Sequence, residues 1–289
     1  MVEPVVGAAI AKALGNSSPE KERATTNLLI RILGPSADAI GEALARYTTY
    51  RLRNVGRIIN RASAKSRNDD GHREANPRVA HVILEDGSYC DNEIMADYLG
   101  GVLAASRTPN GRDDRAVTWS KLVTSLSSLQ IRAHYLLYRE WAERLLGLQE
   151  VNLGVEAGRD QAVMHIELTE FVNRLIIDND VPPTVLSHAI VGLERVGLLE
   201  SRFTFGPKNV ENGPNSAFAN VITVRPSVMG LELYGWAQGL PGMTPQEFIM
   251  FAEPFDAEEV IPRIKNVEFP LLPPSPVTNT PSLSLSTRT

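Results

Sequence analysis

Between Arg46 and Arg67 the chain carries seven lysines or arginines and no aspartate or glutamate. Within that run Arg53, Arg57, Arg61 and Lys65 recur every four residues, which stacks them along one edge of an α-helix. A second face is apolar: Ala37, Ile40, Leu44, Tyr47, Leu52, Val55, Ile58, Ile59 and Ala62 follow the three-four spacing of one buried stripe. Gly34-Pro35 marks the start, because proline in the first helical position loses no hydrogen bond. The spacing predicts a single basic helix from Gly34 to about Lys65, roughly 45 Å long at 1.5 Å per residue. A helical hairpin over Asp91–Leu146 is expected to clamp its apolar side. Gly41 and Gly56 either weaken it slightly or let a neighbour come close.

The basic row has two readings. It can be a solvated face whose arginine stems cover apolar surface. Alternatively, Arg46, Arg53, Arg57, Arg61 and Lys65 bind anions, the phosphates of nucleic acid or of anionic lipid. With no acids between Arg46 and Arg67, like charges one turn apart stay unrelieved unless another segment neutralises them.

Composition narrows the classes. The net charge of −5 over 289 residues argues against a general nucleic-acid coat. One cysteine, Cys90, excludes an intrachain disulfide framework and fits a reducing, cytoplasmic setting. The apolar run Val5–Leu14 follows Glu3 and is too short to span a bilayer, so neither a signal peptide nor a transmembrane segment is expected.

The rest of the chain reads as follows. Residues 1–19 form an N-terminal arm, and 20–147 a helical bundle built on the basic helix. Asn68–His72 has turn composition. Val79–Leu84 fits a strand or a short helix equally. Asp91 is expected to cap a helix burying Ile94, Met95, Tyr98, Leu99, Val102 and Leu103; Gly100-Gly101 inside it suggests close helix packing. A helix over Arg115–Leu126 follows. Ser127 and Gln130 have the spacing of a capping box for a helix to Leu146, whose Tyr135, Tyr138 and Trp141 read as core. Gly-rich residues 148–160 suggest a domain boundary.

Beyond it, Ala162–Ile177 reads as a helix and Pro182–Val196 as another, stopped by Gly197. Leu198–Phe205 and Ala217–Val224 read as strands around a Gly/Pro-rich loop, and Pro226-Ser227 opens a further helix. This order over 160–240 is that of a winged helix-turn-helix. Its second helix would expose Thr184, Ser187, His188, Val191, Glu194 and Arg195, so Ser187, His188 and Arg195, with Lys208 of the wing loop, are the candidate DNA contacts. Yet residues 160–240 hold five basic against nine acidic residues. A groove reader shows the opposite balance, which favours protein docking. Residues 241–269 form an irregular extension with a short helix at Gln246–Ala252. The Pro/Ser/Thr-rich tail 270–289 lacks the apolar content to fold.

Three blocks together resemble one family: Leu33–Ala62 (LGPSADAIGEALARYTTYRLRNVGRIINRA), Ser88–Ser106 (SYCDNEIMADYLGGVLAAS) and Leu122–Tyr138 (LVTSLSSLQIRAHYLLY). They are similar to the Abi-alpha family, bacterial proteins named for abortive infection. The family pattern falls on Leu33, Gly34, Pro35, Gly41, Tyr50, Arg51 and Asn54. The tryptophan usual in the second block is absent, with Tyr98 nearby. The resemblance implies a role in phage defence and carries no catalytic residues with it.

Other candidates are bland. His72, His81, His134, His165 and His188 lack metal-ligand spacing, so no metal or cofactor is expected. Cys90 has no histidine partner in sequence, and Asp69-Asp70 and Asp113-Asp114 sit in turns. The expectation is therefore a mainly α protein: a helical bundle with a C-terminal winged-helix-like α+β domain. Its expected function is non-enzymatic interaction in phage defence, with a protein partner, contact with nucleic acid or anionic lipid through the basic helix, and self-association through exposed helical stripes. A DNA-binding regulator is the first alternative, and an unrecognised hydrolase or nuclease the second.

Overall fold

A computed structural model describes residues 36–66, 73–90, 92–175, 182–201, 204–207, 219–251 and 262–272. The expected arm at 1–19, the Asn68–His72 turn, Asp91, Lys208 and residues 273–289 lie outside the described residues, as does the side chain of Arg46. The protein is mainly helical, with small antiparallel sheets. It divides into two compact units, Met1–Ser125 and Leu126–Thr289. The division expected at 148–160 therefore falls earlier, and the helix Ser128–Leu145 belongs to the second unit.

In the first unit, helix α1 (Ser36–Lys65) is the predicted basic helix. After the short strand β1 (Glu74–Ala75) comes α2 (Pro77–Gly87), where the sequence left helix and strand open. Asn76 accepts a bond from the Arg78 N–H, proline starts the helix, and Val79, Ile83 and Gly87 form its buried edge. Helix α3 (Glu93–Ala105) is capped by Asn92, whose side chain accepts from the N–H groups of Ile94 and Met95. Strand β2 (Arg107–Thr108) pairs with β1, and α4 (Ala116–Ser125) ends the unit.

α3 is buried on nearly every side, and α1 packs along it. The contact face of α1 differs from the predicted stripe. Asn54, Ile58 and Ala62 are buried, whereas Leu52 and Ile59 are 63% and 47% exposed. Gly100 is the physical reason. A Cβ there would lie 2.9 Å from the Ala62 nitrogen and 2.9 Å from the Ile58 oxygen. Backbone meets backbone at that point, and the closest approach sets which edge of α1 turns inward. Asn54 completes this edge by donating from Nδ2 to the Ser88 carbonyl at 2.8 Å.

The second unit opens with α5 (Ser128–Leu145), and the predicted capping box is present in full between Ser127 and Gln130. Tyr138 is fully buried in this unit. Its hydroxyl donates to the Leu198 carbonyl at 2.7 Å and accepts from the Ser227 N–H at 3.1 Å. Trp141 donates to the Ala162 carbonyl at 2.8 Å. A short α6 (Glu156–Gln161) leads into β3 (Met164–Glu167) and α7 (Leu168–Leu175), where one continuous helix was expected. A run buried on both faces has no period of two to betray a strand. Glu167 then makes the break: its carboxylate accepts from the N–H groups of Thr169 and Glu170, capping α7.

Helix α8 (Pro182–Arg195) ends at Gly197, whose φ of 76° suits glycine. Strands β4 (Thr204–Pro207) and β5 (Asn220–Val224) follow, shorter and later than the predicted pair; Leu199 forms only an isolated bridge to Pro226. Ser227 caps α9 (Val228–Ala237), and α10 (Pro245–Phe251) lies close to its predicted place. The expected irregular extension instead supplies strand β6 (Val267–Glu268). The sheet runs β4-β5-β3-β6, antiparallel throughout.

Two glycines test this packing. Gly100→Ala should cost roughly 1–3 kcal/mol through backbone overpacking. Gly56→Ala, where a Cβ meets nothing within 4 Å, should gain roughly 0.5–1 kcal/mol. Thermal unfolding of the two variants checks the order.

Candidate functional site

The basic row of α1 meets acids from α2 and α3. Arg51 pairs with Glu85 at 2.7 Å and also donates to the Ser88 hydroxyl at 2.7 Å. Arg57 binds Glu93 at 2.6 Å and the Asn54 side-chain oxygen at 2.6 Å. Arg61 lies 3.4 Å from Glu93 and 3.8 Å from Asp97. Lys65 sits 2.7 Å from the Asp97 carboxylate and donates to the Asp97 carbonyl at 2.9 Å. The expectation of an open cationic row is corrected for Arg57, Arg61 and Lys65: their counter-charges come from α3. Arg53 is exposed, with no ion-pair partner among the described residues.

The electrostatics follow from depth. At the outer end the Arg57 hydrogen bond holds the Glu93 carboxyl below its ordinary range. At the inner end burial dominates. It raises the Asp97 pKa against the pull of Lys65 and pushes Lys65 down to about 8. Two ladders of equal period form this interface: Arg57, Arg61 and Lys65 on one helix, Glu93 and Asp97 on the other. The signal in the sequence was that pair of acids four apart on an otherwise apolar helix.

The second candidate face belongs to α8. Thr184, Ser187 and His188 are exposed and, with Val191, line a shallow depression of about 540 Å³. His188 Nε2 lies 3.1 Å from the Ser127 hydroxyl, and Gln130 Nε2 donates to the His188 carbonyl at 3.4 Å. Ser127 Oγ also accepts from the Gln130 N–H. Part of His188 is thus spent docking α8 on the start of α5. Arg195 is exposed at the far end of the helix.

Four other candidates have structural contacts. His134 is fully buried and bonded to the Gly230 carbonyl, and burial pushes it down to about 3, so it is neutral. Asp113 pairs with Arg115 and Asp114 with Arg78. Cys90 is half-buried, its sulfur 3.9 Å from the Asp86 carbonyl. Among the described residues no group of three histidine, cysteine or acidic side chains is arranged to hold a metal ion, and no helix is long and apolar enough to cross a membrane.

Sequence reasoning missed a third cluster. Glu140, Glu143 and Glu170 receive the segment 262–272, through the Ile264 N–H at 3.3 Å, the Arg263 guanidinium at 2.6 Å and the Lys265 N–H at 3.2 Å, respectively. A cavity of about 640 Å³ lies beside it, lined in part by Glu140, Glu143, Ile264 and Phe269. Its hint in the sequence was faint: two acids three apart on the largely apolar α5. Compared with known protein families, curated proteins and solved structures, the chain matches none.

The buried pair is testable. Asp97→Asn strands a buried ammonium and should cost about 3–5 kcal/mol, while Lys65→Met with Asp97→Leu should be closer to neutral. In the wild type the Lys65 pKa is lower folded than unfolded. Between about 8 and 10.5 the unfolded chain therefore binds more protons, and this group's contribution to stability rises with pH. Denaturant titration across that window should show the rise in the wild type and its loss in Lys65→Met.

Proposed function

We propose that the protein is a non-enzymatic interaction protein of bacterial phage defence, as its resemblance to Abi-alpha implies, and that its second unit is a winged helix-turn-helix that docks protein. The element order supports that class: helix α5, strand β3, helices α7 and α8, then the β4-β5 hairpin with β5 beside β3. In this reading α8 takes the place of the recognition helix.

One observation carries the choice of partner. The depression on α8 is lined by Thr184, Ser187, His188 and Val191, hydroxyls, an imidazole and a methyl surface, and the one cation of the helix, Arg195, lies at its far end. A groove-reading helix draws its affinity from phosphate contacts, which need lysine or arginine. The residues around α8 are net acidic, so a duplex would be repelled where a protein surface is not. The basic helix is a poorer anion site than its sequence implies, because Arg57, Arg61 and Lys65 are held by Glu93 and Asp97. Arg53, among the described residues, is an exposed cation of that row. A DNA-binding regulator using Ser187, His188 and Arg195 is the second reading, favoured by the exposure of those three residues.

Two measurements separate the readings. Co-purification from phage-infected cells should recover an identified protein with the wild type and lose it with Val191→Asp. Anisotropy titration with duplexes at two salt concentrations should show no preferred sequence. One duplex bound about a hundred-fold tighter than others, with the preference lost in Arg195→Ala, would establish the regulator instead.

A further inference from the structure

Segment 262–272 is bound to the second unit, with Val267–Glu268 as its strand. Arg263 pairs with Glu143 at 2.6 Å. The N–H groups of Ile264 and Lys265 donate to the carboxylates of Glu140 and Glu170. Glu167 N–H donates to the Asn266 carbonyl at 3.1 Å, and β6 pairs with β3 through Ile166–Val267 and His165–Glu268. Ile264 and Leu272 are buried, and Arg144 lies over the Phe269 ring at 5.8 Å. Such a pattern is β-strand addition: main-chain bonds give the affinity, while alternate side chains and one cation set the specificity.

Without this segment β3 would be a bare sheet edge, flanked by three carboxylates that match a cation and two backbone donors. Only two residue pairs join β6 to β3. A cavity of about 640 Å³ lies alongside. Ten residues, 252–261, connect α10 to the segment. Fully extended, ten residues span at most roughly 35 Å.

We propose that the groove formed by β3 and the Glu140–Glu143–Glu170 carboxylates is a self-association site, which takes segment 262–272 of a second copy of this chain in place of its own. The occupant is a second copy because that segment is the one sequence whose fit is shown, with Arg263 answering Glu143. No bond is present in the exchanged form that is absent in the closed one, so the choice is set by concentration. Tethering gives the chain's own segment a millimolar effective concentration, and closed monomers prevail in dilute solution. Exchange should appear at ordinary concentrations only where the exchanged pairing is made better than the closed one. This inference stands apart from the α8 reading and does not rest on it.

Charge reversal tests it in the full chain. Arg263→Glu sets two acids against each other, and Glu143→Arg sets two cations. Each variant alone should stay monomeric by light scattering. In the mixture, the now acidic segment of the Arg263→Glu chain meets the now basic groove of the Glu143→Arg chain. A heterodimer should then form at a level at least about ten-fold above either variant alone. The double variant, which restores the pair within one chain, should be monomeric and recover the wild-type melting temperature. A mixture that stays monomeric overturns the proposal and leaves the segment an internal strap. Because reversal could disturb folding, a labelled peptide of residues 262–272 provides a second readout. Carrying Arg263→Glu it should bind the Glu143→Arg chain, whereas the unsubstituted peptide should not. Equal binding of both peptides, or none, likewise overturns it.

Discussion

A buried cation needs a counter-charge, and this requirement organises the first unit. α1 brings a basic edge against an almost wholly buried α3, and α3 answers with two acids in the same four-residue period. The arrangement is graded. Arg57–Glu93 lies near solvent, where such pairs contribute little. Lys65–Asp97 lies deep, where desolvation rivals the attraction and either partner alone is costly. Gly100 makes the ladder reachable, since it brings the two backbones together and turns the rungs inward. The row that looked most like a ligand-binding device is therefore chiefly an interhelical fastening. Its specificity is one of register, because slipping α1 by one turn against α3 would unpair the deepest rung.

The second unit uses acids in a related but distinct way. There Glu167 caps α7, while Glu140 and Glu170 accept backbone N–H groups of the 262–272 segment. Main-chain donors share these carboxylates with cations, since Glu170 also pairs with Arg174 at 2.8 Å and Glu140 lies 3.6 Å from Arg139. Several of its acids thus hold the chain's own irregular backbone.

How far the sequence could be read depended on whether a signal was local. The Ser127–Gln130 cap, the stop at Gly197, the Ser227 start and the extent of α1 all rest on neighbours a few residues apart, and each was legible. The core role of Tyr135, Tyr138 and Trp141 was legible too, from helical spacing. β3 was not. Met164, His165 and Ile166 are buried on both faces, and nothing within ten residues tells such a strand from the start of a helix. β6 was hidden for a different reason: two residues make no periodic pattern, and it exists only because β3 offers an edge. The cap of α3 shifted by one residue, since Asp and Asn stand side by side and both suit the role.

The sequence by itself determined the helical character of the chain, most of its caps, and the existence of a cationic row with an apolar face beside it. These follow from composition and from contacts within one or two turns. Only the tertiary structure decided which side of α1 is buried, that its cations are answered, and where the chain divides into units. It also decided that residues 262–272 complete a sheet. The physical reason is common to all four. Each depends on groups brought together from more than thirty positions apart, as Arg57 and Glu93 are. One-dimensional order records such a charge or apolar patch but not what it will meet.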